Sequence, residues 1–178
     1  MTPARAPEPE SLPVRLEASR TSAEGEPETP CWTLSEESYG LPVDPKHEPS
    51  RRAVGAVLVG SERGTVEIVS GAPSRSEREL PVYRLEGGSA LAVATERLFV
   101  RLAPDQTAAD HAEAFSALGL VTEDIPDYAP HCAWLAPRTG RVADGLKAAA
   151  TLATQSAVES VEPQLLRVSR RRPGAKRR

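Results

Sequence analysis

The side chains that could do chemistry in this chain are few and scattered. His47, His111 and His131 are its only histidines. They are far apart, and no paired-cysteine zinc pattern accompanies them. His47 falls in a proline-rich stretch, His111 lies on a helix whose apolar neighbours point elsewhere, and His131 begins a strand. Cys31 and Cys132 are about a hundred residues apart with no CxxC pattern, so two reduced thiols are expected. Asp105, Asp110 and Glu113 gather where a helix begins and favour its positive end. Glu123, Asp124 and Asp127 make an acidic, solvated turn. Phosphate-binding glycine loops, HExxH and GxSxG are all absent from the sequence. This inventory points away from an enzyme, and no cofactor or metal is expected.

Charge is the stronger signal. Residues 1–50 hold ten acids and four bases, a balance of −6, whereas residues 167–178 hold seven bases and no acid, a balance of +7. The ends can attract each other, or the tail can serve an acidic partner. Residues 1–50 also contain nine of the 17 prolines. A segment this polar and proline-rich is expected to be disordered, with Cys31-Trp32-Thr33-Leu34 its one docking candidate. The N-terminus lacks the apolar core of a signal peptide, and no run approaches the length of a membrane span. A soluble, cytoplasmic protein is the expectation.

The elements that would position a site begin at Arg51. AVGAVLVG (53–60), TVEIV (65–69), LPVYRL (80–85) and ALAVAT (90–95) are short β-favouring runs between glycine-containing turns, predicting a small β meander. RLFVRL (97–102) predicts a further strand. Thr107-x-x-Asp110 then starts a helix that Gly119 stops. LVTEDI (120–125) and HCAWLA (131–136) predict two strands. Val142, Leu146, Ala149 and Ala153 mark a second helix containing Gly145, and AVESV (157–161) is a last strand that Glu162-Pro163 ends. The expected fold class is α+β: a ferredoxin-like split βαβ, β-α-β-β-α-β, with an antiparallel sheet and both helices on one face, preceded by the meander. The expected divisions are a disordered acidic leader over 1–50, the meander over 53–95, the ferredoxin-like domain over 97–168 and a basic tail over 169–178. Such a sheet leaves one face uncovered. Phe99 and Trp134 would stand on its central strands, where RNA-recognition sheets stack bases. The basic-aromatic spacing of those sheets is missing, so nucleic acid is not the expected partner.

The run from Arg97 to about Arg172 resembles the N-terminal propeptides of subtilisin-like serine proteases. The matching pieces are Leu98-Phe-Val-Arg-Leu-Ala-Pro-Asp, Ala117-Leu-Gly-Leu and above all Ala157-Val-Glu-Ser-Val-Glu-Pro-Gln. Leu80-Pro-Val-Tyr-Arg-Leu is similar to a short β extension that precedes some of these propeptides. The resemblance implies a module that lays its open sheet face on two helices of the protease, templates its folding and inhibits it. It implies that Glu162 caps the N-termini of those helices and that Gln164 stands where a second acid or amide is common. Leu165, Leu166, Arg167, Val168, Ser169 and Arg170 would run into the substrate cleft, with Arg170 near the scissile position. The catalytic elements of the protease do not occur, so the expected function is that of a free-standing inhibitor or folding chaperone acting in trans on a subtilisin-like serine protease. A protein-interaction adaptor on the same fold, and nucleic-acid binding through the basic tail, are the alternatives. The oligomeric state is left open.

Overall fold

The computed structural model describes residues 12–17, 20–21, 27–28, 30–44, 52–58, 65–74 and 79–167. Its strands are β1 (Arg15–Glu17), β2 (Arg20–Thr21), β3 (Pro27–Glu28), β4 (Cys31–Val43), β5 (Ala53–Leu58), β6 (Thr65–Ser70), β7 (Leu80–Leu85), β8 (Leu91–Leu102), β9 (Leu120–Asp124), β10 (Cys132–Pro137) and β11 (Val158–Arg167). The helices are α1 (Ala112–Ala117) and α2 (Val142–Leu152). These elements gather into two compact units. The first comprises residues 1–18 and 96–164, the second residues 19–95 and 165–178.

The expected ferredoxin-like, two-helix split βαβ is contradicted. Among the described residues the chain is mostly antiparallel sheet, with eleven strands against two helices. Two features of the chain cause this. The two short strands predicted at 90–95 and 97–102 are one continuous 12-residue strand, β8, because nothing at Thr95-Glu96 breaks extended backbone. The proline-rich leader contributes a 13-residue strand, β4, so disorder throughout 1–50 is also corrected.

In the second unit the strand order is β5-β6-β4-β7-β8. A meander would pair β6 with β7, but β4 lies between them. It is in register with β6 from Ser38↔Ser70 to Val43↔Thr65 and with β7 from Trp32↔Leu85 to Gly40↔Leu80. The pairing with β7 shifts between Leu34 and Tyr39. That irregularity moves the alternation of large side chains from even positions (Trp32, Leu34) to odd ones (Tyr39, Leu41, Val43), which disguises the strand. The core here is Val66, Ile68, Val82 and Val93, joined by half-buried Leu80, Leu91 and Leu166. Trp32 and Tyr83 are also fully buried, and burial pushes the Tyr83 hydroxyl well above the usual phenol range.

In the first unit the strands lie in the order β11, β8, β10, β9. Leu98, Val100 and Leu102 of β8, with Ala133 and Leu135 of β10, face one side, as a two-residue period requires. Phe115 of α1 and Ala148, Ala149 and Leu152 of α2 cover them. The Thr107 hydroxyl donates to the Asp110 carboxylate at 2.6 Å and accepts the Asp110 N–H at 3.3 Å. Regular helix nevertheless begins only at Ala112, later than predicted. The N–H of Ala108 donates to Pro130 O at 2.8 Å, and His111 and Ala112 make tighter, three-residue turns. At α2, Gly145 is required by close approach: a Cβ there would lie 2.8 Å from the Glu96 carbonyl oxygen. Among the described residues, no helix is long and apolar enough to cross a membrane.

Candidate binding surface

The face of the first unit's sheet opposite its helices carries the other half of each strand's alternation. On β8 these are Arg97, Phe99 and Arg101, and on β10 Cys132, Trp134 and Ala136. Trp134 stands directly across from Phe99 in the ladder. Their ring centroids are 5.0 Å apart and the planes are tilted by 55°, a favourable edge-on geometry. Both rings are only half-buried. The Arg97 guanidinium lies 4.7 Å from the centre of the Trp134 ring, while its Nε pairs with Glu123 Oε2 on β9 at 2.5 Å. One arginine thus bridges the aromatic pair to the neighbouring strand, holding ring and cation in place.

Two residues along β8, Arg101 is exposed. Glu162, on β11, is half-buried. Burial raises its carboxyl above the usual range, and the Arg101 charge offsets part of that rise. Among the described residues the Glu162 carboxylate takes no hydrogen bond or ion pair. A half-buried carboxylate without a donor is poorly placed for stability and well placed to accept one from elsewhere.

The other sequence-derived site residues are distributed differently from expectation. Gln164 stays with Glu162 in the first unit, whereas Leu165, Leu166 and Arg167 belong to the second. All five lie in β11, which pairs with β8. Glu162-Pro163 therefore does not end the strand. Pro163 lacks only a donor, and a strand that pairs on one side can spare it. Leu166 packs on the second unit's core, and the Arg167 guanidinium stands 5.0 Å over the Trp32 ring. These three residues are built into sheet, not free for a cleft. Val168, Ser169 and Arg170 lie outside the described residues.

Sequence reasoning picked out Phe99 and Trp134 but passed over Arg97 and Arg101. The Arg-x-Phe-x-Arg alternation across 97–101 was the available signal, because it places two cations beside one ring on a single face. His111 Nε2 contacts Gln106 Oε1 at 3.1 Å and its ring lies against Phe115. Among the described residues no three of His, Cys, Asp and Glu converge to hold a metal. Compared with known protein families, curated proteins and solved structures, the chain matches none of them.

Proposed function

We propose that the chain is a non-catalytic protein-binding module that acts in trans on a subtilisin-like serine protease, as inhibitor or folding chaperone. The observation that carries this reading is the first unit's sheet face away from its helices, with its Phe99–Trp134 pair and with Glu162 under the influence of Arg101 on the same strand as Phe99. Half-exposed aromatic pairs flanked by arginine are the residue types that dominate protein–protein recognition. A carboxylate without an internal donor suits the N-terminal N–H groups of a partner helix, where its charge also meets the positive end of the dipole. The resemblance of Ala157-Val-Glu-Ser-Val-Glu-Pro-Gln to the protease propeptides supplies the partner class. Cys31 and Cys132 form no disulfide among the described residues, which suits a reducing compartment such as the cytoplasm.

Titration of the full chain into a panel of subtilisin-like proteases tests the proposal by residual peptidase activity and by recovery of refolded enzyme. Saturable inhibition or improved refolding is expected, with Trp134→Ala weakening the effect by at least about tenfold. A panel that shows neither effect rejects the protease reading. Full potency in the Trp134→Ala variant rejects the sheet face. Binding without inhibition or refolding assistance marks the chain as an adaptor.

The same face favours a second reading in one respect. Phe99, Trp134 and the two arginines could stack on and neutralise a single-stranded nucleic acid. Oligonucleotide binding that survives moderate salt and is lost on Phe99→Ala would support it over the protease reading.

A further inference from the structure

Strand β11 changes company partway along its length. Its first seven residues belong to the first unit, and Leu165, Leu166 and Arg167 belong to the second. Besides the ladder between β11 and β8, side chains hold these last three at two points. Leu166 is only half-buried against the cluster of Val66, Ile68, Val82 and Val93. Arg167 is exposed, and its guanidinium caps the Trp32 ring at 5.0 Å. Beneath that cap, Trp32 is 1% exposed, and among the described residues its indole N–H meets no acceptor. A buried donor without an acceptor favours any motion that lets water reach it. The closed arrangement therefore sets a strand-end ladder and two partial side-chain contacts against a built-in incentive to open.

We infer that Leu165–Arg167 form a releasable strap: a strand end that docks on the second unit over Trp32 and detaches as a segment, while the rest of β11 stays in its sheet. Closed, the strap keeps Leu165, Leu166 and Arg167 from serving as an extended ligand. Open, it exposes Trp32 to water and releases Leu165, Leu166 and Arg167 from the sheet. The consequence for inhibition rests on the protease reading above. The opening itself does not.

Amide hydrogen exchange on the full chain, resolved by peptide, separates the two. The amides of Leu165, Leu166 and Arg167 should exchange faster than those of Val158 to Glu162 in the same strand. Arg167→Ala should accelerate the three by roughly two- to fivefold, as expected for loss of an exposed cation–π contact. Amides of Leu98 to Leu102 should be unaffected. Arg167→Lys, which keeps the charge but loses the flat stacking surface, should fall between. Uniform exchange along β11, or rates at 165–167 that ignore Arg167→Ala, would overturn the strap. A subtilisin-like protease added to the same variants reads the second question. Inhibition that tightens in Arg167→Ala ties strap release to cleft binding. An exchange change with no inhibition by any variant leaves the strap standing and removes the protease reading.

Discussion

The two units place their tryptophans in opposite ways. In the second, Trp32 and Tyr83 are sealed inside at 1% and 0% exposure. In the first, only Phe115 is buried, while Phe99 and Trp134 lie half-covered on the face away from the helices. A chain whose sequence has only two tryptophans and two phenylalanines thus keeps one of each on a surface. Large aromatic side chains contribute most to stability when fully buried. Holding two of them half-exposed, braced by Arg97 and Glu123, makes sense for recognition. The comparison gives Trp32 and Tyr83 a structural role and fits Phe99 and Trp134 to the proposed recognition role.

The comparison can be broken first at Phe115. Its ring is 1% exposed beneath the first unit's strands, and Phe115→Ala should cost about 3–5 kcal/mol in denaturant unfolding. By contrast, Phe99→Ala should cost about 1 kcal/mol. Equal losses from the two would show that Phe99 is core and not surface.

Glycine packing gives the next largest effect. Gly145→Ala would drive a methyl to 2.8 Å from a backbone oxygen, whereas Gly40→Ala in the second unit meets the Val66 side chain at 2.9 Å. A side-chain methyl can turn aside and a strand backbone cannot. Gly145→Ala should therefore cost about 1–3 kcal/mol, and Gly40→Ala less. The reverse order would mean that α2 lifts off its sheet freely.

The smallest effect concerns Glu162 and pH. Because burial raises its carboxyl, the folded state binds the proton more tightly than the unfolded one. The associated stability is fully present below the ordinary carboxylate pKa and is lost as pH rises through the raised folded value. Glu162→Gln should flatten that part of the unfolding midpoint's pH profile. An unchanged profile would show that Glu162 is solvated like any surface acid. Binding has the opposite dependence, since an anionic acceptor is needed, so affinity for a partner should fall as Glu162 protonates.

How much of this was legible in the sequence differs between the units for a physical reason. The first unit's packing is drawn mainly from the contiguous segment 96–164, and local signals located its elements: Thr107 with Asp110, Gly119 at φ 75°, and the alternation of Leu98, Val100 and Leu102. The second unit depends on β4, whose neighbours β6 and β7 are distant in sequence. No local pattern specifies that insertion, and the phase shift between Leu34 and Tyr39 hides the strand itself. The same non-locality defeated the expected end of β11, because the partner of Arg167 is Trp32. At the candidate surface, Phe99 and Trp134 were readable from alternation alone. Glu162 was readable only as a motif position, and its lack of a donor among the described residues is a property of the fold.

The central claim is that the first unit's outer face is the contact surface for a protease. Hydroxyl-radical footprinting of the full chain with a subtilisin-like protease at saturation tests it residue by residue. Oxidation of Phe99 and Trp134 should fall sharply on complex formation, while half-buried Tyr39 in the second unit keeps its rate. A complex in which Phe99 and Trp134 remain as reactive as in the free chain would contradict the claim.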